Sequence, residues 1–337
     1  MSTPAIPAEQ LPPRSEVLQP EREIAGFWRR LGAFALDMLL LAVAVHIVTF
    51  PFFSQLCRIG AWAPILGFFL VMPYYVLLNS RAANGQTLGK MMMHIQVVNE
   101  SGGLVPVSAT FLRYAVLYVP LFLSGLDLPV TRTPQAVQYL VFFLFGGMFL
   151  VTTYLLVCNR ATRQGLHDMA AGTYVVRVEQ PGAVRQTPVW TGHWVIIFLL
   201  TLSTVCGAWY FSKLLNKWVD MPALLEDLRA VERIPGVQSG AIVDQTSWSN
   251  GKRGTAYVVT ANFTGDANQA EILANAIASE ILVRDPHVLH RDRLVITIVR
   301  GYNLGFARAS VSHPFYDTPS GWQERLDGKS IPDPSAE

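Results

Sequence analysis

The sequence predicts an α-helical, multi-span membrane domain followed by a small C-terminal α+β domain of order α-β-β-α-β-β. Three observations carry this. First, 51% of the 337 residues are apolar and only 15% are charged, and mean hydropathy is positive at +0.31, which sets the chain apart from ordinary soluble proteins. Second, long uncharged runs recur through the first two thirds, each close to the roughly 20 residues that cross a bilayer at about 1.5 Å per residue. Third, beyond residue 211 the composition becomes that of a soluble domain. Charge follows the same division: residues 1–211 carry 13 Lys and Arg against 9 Asp and Glu, residues 212–337 carry 13 against 15. No strong basic field exists, so nucleic acid is not an expected partner.

Taken in order, residues 1–24 read as a flexible cytoplasmic tail, rich in proline and without the apolar core of a cleavable signal. The membrane domain is expected over 25–180, with spans at about 31–50, 61–78, 111–126 and 136–158. The third is short, begins near Arg113 and contains Pro120. Residues 181–211 supply a linker and a fifth span. The N-terminal tail, the 79–114 segment and the 159–189 loop hold most of the basic residues, whereas the links 51–60 and 127–135 hold only Arg58 and Arg132. By the bias of Lys and Arg towards the cytoplasm, this predicts a multi-pass protein of the cell (inner) membrane. Its N-terminus is inside and its C-terminal domain outside. Between the spans, His94–Val98 and Gly172–Val178 read as two short strands able to pair beneath the membrane. Asn84–Lys90 lacks the spacing of a phosphate loop, and the Met91–Met93 run reads as an interfacial anchor.

The C-terminal domain is expected over 212–320. Leu224, Leu225, Leu228 and Val231 have the one-face spacing of a helix. Asn250-Gly251 marks a hairpin between strands at 240–249 and 255–264. Asp266 is placed to cap a helix to about Arg284, with Ala270, Leu273, Ala274, Ile277 and Ile281 inward. Two further strands, 293–300 and 304–312, are expected to turn at Gly301-Tyr302-Asn303 and complete an antiparallel sheet. Residues 321–337 read as a tail.

Few residues could carry chemistry. Cys57, Cys158 and Cys206 lack CxxC spacing, the histidines are scattered, and no GxSxG elbow is present. No enzyme activity, metal site or cofactor is therefore expected. The informative residue is Asp37, a carboxylate inside the first span that costs about 2.5–3.5 kcal/mol at a helix centre unless it finds a partner or a wet cavity. Arg30 lies seven residues earlier on the same helix face, about 10 Å away and too far for direct contact. Asp37 thus needs another partner, with Arg113 or a tyrosine the candidates, or it is neutral. Asp168 follows His167 in a basic loop, where it reads either as a gate for ions or as a cap tethering the loop. His46 lies on nearly the opposite face from Asp37, and Pro73 and Pro120 are placed to kink their helices.

Together, RRLGAFALDMLLL, GQTLGKMMMHIQVVNESGG, the Arg113 of ATFLRYAV and RATRQGLHDMAAGTYVVR resemble the RDD family of membrane proteins over roughly residues 25–180. The family is named for one arginine and two aspartates, which fall here on Arg30 (with Arg29 as rival), Asp37 and Asp168. The resemblance implies a multi-span membrane domain and a transport role, some members being linked to cation/proton exchange. Two functions stay open. One is transport of an ion or small solute, with Asp37 as an intramembrane charge site and Arg30, Arg113 and Asp168 completing the network. The other is a membrane anchor or scaffold whose extracytoplasmic domain binds a protein partner, the charges being structural. The lipid bilayer is a partner in either case.

Overall fold

The computed structural model describes residues 21–178, 182–185, 187–218, 220–249 and 252–328. Four stretches are helical, long and apolar enough to cross a membrane: Phe27–Leu78, Val107–Ser124, Gln135–Cys158 and Thr191–Phe211. The first holds three helices, α1 (Phe27–Thr49), α2 (Phe53–Ile59) and α3 (Ala63–Leu78). The chain doubles back between α2 and α3 at Gly60, whose φ of 61° is open to glycine without strain. Tyr74 of α3 reaches Asp37 of α1, so α1 and α3 run antiparallel. The expected spans at 31–50 and 61–78 are the two arms of this one stretch.

Between α3 and the next long helix lie a short helix α4 (Leu88–Met92), capped by the Thr87 hydroxyl, and strand β1 (Ile95–Val98). Helix α5 (Val107–Ser124) contains Pro120, and α6 (Gln135–Cys158) follows after a link that holds Asp127 and Arg132. Next come the short helix α7 (Leu166–Ala170) and strand β2 (Tyr174–Arg177). The two expected strands do pair: β1 and β2 are antiparallel, with Ile95 opposite Arg177 and Val98 opposite Tyr174. Ile24 bridges to Val176 and Glu23 ion-pairs with Arg177 at 2.7 Å. The end of the expected tail is therefore tied to this small sheet, while residues 1–20 lie outside the described residues. Met91 and Met92 face outward, whereas Met93 packs on α1, where a Cβ at Gly32 would lie 2.3 Å from its Cε. Helix α8 (Thr191–Trp218) meets α6 near its start, where His193 Nδ1 lies 2.9 Å from the Tyr154 hydroxyl, but none of its apolar window is buried against the rest of the protein.

The C-terminal domain begins with α9 (Met221–Arg233) and strands β3 (Val237–Ser249) and β4 (Lys252–Phe263). The expected Asn250-Gly251 turn between them lies outside the described residues. Helix α10 (Ala270–Arg284) then leads to β5 (Arg293–Asn303) and β6 (Arg308–Asp317). Ala270, Leu273, Ala274, Ile277 and Ile281 of α10 are all buried, as their spacing predicts. The α-β-β-α-β-β order is present, with three departures. The sheet, ordered β3-β4-β5-β6, is mixed, because β4 and β5 run parallel across the α10 crossover; a helical connection permits that where a hairpin could not. A last helix, α11 (Pro319–Leu326), occupies the start of the expected tail. Its Trp322 is fully buried and donates from the indole to the Leu294 carbonyl at 3.0 Å. Finally, the turn between β5 and β6 falls at Leu304–Ala307 rather than at Gly301–Asn303, closed by Leu304 N–H to the Ala307 carbonyl at 2.8 Å.

The shifted turn is where the two domains join. Tyr302, Leu304 and Phe306 are buried in one apolar cluster with Leu41, Val71, Tyr75, Tyr118 and Phe122 of the long helices. The hairpin tip is wedged into the end of the bundle. Phe306 lies 5.7 Å from the Tyr118 ring and 5.3 Å from Phe122, and the Tyr302 hydroxyl meets that of Thr49 at 2.8 Å. Gly67 of α3 leaves the room required, since a Cβ there would sit 1.9 Å from the Leu304 carbonyl oxygen. Polar clasps surround the wedge. Asp127 accepts from Ser239 at 2.6 Å and from Asn262 at 2.8 Å, and the buried Glu232 accepts the backbone amides of Val130 and Thr131.

Candidate functional site

At the end of the bundle opposite the wedge, two buried carboxylates organise the chain in different ways. Asp168, at the third position of α7, is fully buried. Arg113 of α5 donates from Nε at 2.8 Å and Nη2 at 2.6 Å to its Oδ1. Arg30 of α1 donates from Nη1 to its Oδ2 at 3.3 Å. The Gly165 amide and the Thr173 hydroxyl add donors at 3.3 Å each. One carboxylate therefore ties α1, α5 and the loop around α7 together. Burial alone would raise the Asp168 pKa; Arg113 and Arg30 overcome that and hold the carboxyl well below the usual carboxylate range.

Arg30 does more than neutralise. Its guanidinium also donates to the carbonyls of Ala25, Thr162, Arg163 and Val175, the shortest at 2.6 Å to Arg163. The fork of fixed donors is what a lysine could not supply. His167 sits beside Asp168, with Nε2 3.5 Å from Oδ2. Burial dominates there and pushes the imidazole pKa down to about 4, so it is neutral near pH 7.

Asp37 is 2% exposed and ion-paired with no cation among the described residues. It accepts from the Tyr74 hydroxyl and the Thr87 hydroxyl at 2.6 Å each, and from the Gly89 amide at 2.8 Å. Three neutral donors thus satisfy the acid and pin α3 and the start of α4 onto α1. Gly89 permits the approach: a Cβ there would meet the Ala33 carbonyl oxygen at 2.2 Å and Asp37 Oδ1 at 2.9 Å. Of the four residues singled out from the sequence, the structure joins Arg30, Arg113 and Asp168 into one cluster and seats Asp37 in a second. The tyrosine alternative for Asp37 is the partner observed, and His46 lies exposed on the outer face.

A cavity of about 420 Å³ opens between α1, α5 and α6, bordered at its floor by both clusters. Arg30, Asp37, Lys90, Arg113, His167 and Asp168 all contribute to its lining, as do Tyr75 and Tyr118 towards the wedge. Lys90, which the sequence suggests only as one of several basic residues, is the unusual member. Among the described residues it ion-pairs with no carboxylate, and its Nζ donates to Asn79 Oδ1. Burial first, and Arg113 second, push its pKa well below the ordinary lysine value. Tyr74, Thr87, Gly89 and Lys90 were the residues least visible beforehand. The one available signal was the GQTLGK string itself, in which a threonine stands at an N-cap position before a glycine that allows close approach.

Comparison with known proteins covers the part of the chain that holds these residues. The chain is 29% identical over 151 residues to the uncharacterized protein YckC of Bacillus subtilis (strain 168), a stretch covering 45% of this chain and 83% of that protein. No solved structure matches the chain. The model of the RDD family matches residues 24–172, a span that includes α1 to α7 and all four residues of the two carboxylate clusters. The chain is thus similar to the RDD family over residues 24–172, to which a separate C-terminal α+β domain is joined.

Proposed function

We propose that the protein moves a small solute or ion at the membrane and that the cavity between α1, α5 and α6 is its working site. The observation that carries this is the cavity itself: about 420 Å³ inside an apolar bundle, with charged side chains converging on its floor. That size falls within the range of small-ligand sites, and intramembrane charges usually mark a pathway or a binding site. In this reading Asp37 and Asp168 build the floor. Both have their oxygens satisfied by protein donors, so neither is free to take the cargo without breaking the scaffold. Lys90 and the exposed faces of Arg30 and Arg113 meet the cargo instead. The distribution of basic residues supports placing the Asp168 end in the cytoplasm and the C-terminal domain outside a cell membrane.

The test is flux through vesicles holding the purified full chain, with chloride and phosphate gradients tried in turn. Flux above that of empty vesicles, retained in a folded Asp37→Asn variant and lost in Lys90→Gln, is the expected outcome. Absence of flux under both gradients would overturn the reading for these anions. A second reading, a membrane anchor presenting the C-terminal domain to a protein partner, is favoured by the clasps at Asp127 and Glu232, which fix that domain to the bundle. Reporter fusions at Glu337 check the orientation both readings need: a cytoplasmic signal would reverse it.

A further inference from the structure

The cavity lining identifies the class of molecule it suits. Three cations, Arg30, Lys90 and Arg113, stand against two carboxylates, Asp37 and Asp168. The carboxylates are saturated, and Lys90 has only an amide oxygen as partner. One more buried polar atom on the lining that can donate, Thr152 Oγ1, has no hydrogen-bond partner, in a residue 7% exposed. Buried polar groups are costly to leave unpaired, so the floor is a set of contacts awaiting a polar, negatively charged group.

The walls differ from the floor. Leu117 and Leu121 of α5 and Phe145, Phe149 and Leu156 of α6 line the remainder. At the rim, Leu31, Phe34, Phe145 and Phe149 are 36–66% exposed. Exposed apolar side chains on a membrane helix face lipid, so the mouth opens sideways into the hydrocarbon near the Arg30 end. The far end is closed by the wedge, where Phe306 covers Tyr118 and Phe122. A site with a cationic floor, an apolar shaft and a lateral mouth suits an amphiphile better than a hydrated ion.

We propose that the cavity binds an anionic membrane phospholipid that enters between α1 and α6, its phosphate received by Lys90 and Thr152 and the first part of an acyl chain lying against Leu117, Leu121 and Phe149. This rests on the reading of the cavity as the working site and names the chemistry of its cargo or regulator.

The experiment uses the purified full chain in detergent micelles, with phosphatidylglycerol, phosphatidylcholine or inorganic phosphate added separately and the melting temperature followed. Phosphatidylglycerol is expected to raise it by several degrees, while phosphatidylcholine and inorganic phosphate leave it unchanged. Lys90→Gln should weaken the phosphatidylglycerol response about tenfold in concentration, the effect of losing one charge-assisted contact. Leu121→Trp, which fills the shaft without touching a charge, should abolish it while helical content is retained. Thr152→Val serves as the polar variant should Lys90→Gln fail to fold. Equal responses to the two lipids overturn the proposal, as does a response to inorganic phosphate alone, or one untouched by the filling variant. Failure is separable from that of the transport reading: a chain that binds phosphatidylglycerol but moves nothing keeps the site and loses transport, and a chain that moves small anions without responding to lipid does the reverse.

Discussion

Asp37 and Asp168 are equally hidden, at 2% and 0% exposure, yet one is held by neutral hydroxyls and an amide and the other by two guanidinium groups. The difference teaches what each can survive losing. Around Asp168 the charges compensate one another, so removing any one strands the rest in a low-dielectric interior. Around Asp37 no cation is hydrogen-bonded to the acid, although its charge favours the protonated form of nearby Lys90, and its loss leaves chiefly unpaired hydrogen-bond donors. Two equally buried acids therefore carry different structural obligations.

The sharpest test removes the hub. Asp168→Ala leaves Arg30 and Arg113 buried without an anion and should destabilise the folded protein by about 3–5 kcal/mol, read as loss of the cooperative unfolding transition in micelles. A cost under about 1 kcal/mol would mean that water already compensates these arginines. At the other end of the bundle, Phe306→Ala removes the ring that caps Tyr118 and Phe122 and should cost about 3 kcal/mol. Limited proteolysis should then release the C-terminal domain while the N-terminal helical domain stays intact; unchanged protection would show that the clasps at Asp127 and Glu232 suffice alone. Asp37→Asn keeps the size and one acceptor but faces one donor with another, a cost of about 2 kcal/mol. If it proves as damaging as Asp168→Ala, the contrast between the two acids collapses.

The mildest effect comes from His167. Its folded pKa of about 4 lies below the ordinary 6.5, so the unfolded chain takes the proton first. Stability on this account is full above pH 6.5 and falls as pH drops towards 4. The loss between pH 6.5 and 5.5 should be about 1 kcal/mol, measurable as a lower melting temperature. Asp168 acts in the same direction at still lower pH, since its depressed pKa contributes stability that is lost as the carboxyl protonates. His167→Asn should flatten the slope in the upper window.

The apolar runs made the helices legible, because crossing lipid demands length and lack of charge whatever the neighbours are. The α10 face was legible for the same reason, its spacing reporting one buried side. What stayed hidden depended on contacts distant in sequence. Arg30 and Asp168 are 138 residues apart; helix spacing separates Arg30 from Asp37, but nothing local says that it serves the second aspartate. The β5–β6 turn was misplaced because Gly301-Tyr302-Asn303 looks like a solvent turn. Tyr302 is instead drawn in beside Thr49 and Phe53, which extends β5 to Asn303. Trp322 gave a single aromatic in a polar stretch, too little periodicity to announce α11.

The wedge has a consequence for how the molecule is made. Tyr302, Leu304 and Phe306 complete an aromatic core whose other members, Tyr75, Tyr118 and Phe122, are synthesised some two hundred residues earlier. During synthesis that aromatic surface of the early helices stays uncovered until residues 302–306 have been made and the hairpin can dock. A ribosome stalled before residue 300 would leave the bundle unsealed. Order of synthesis thus separates building the helices from closing them.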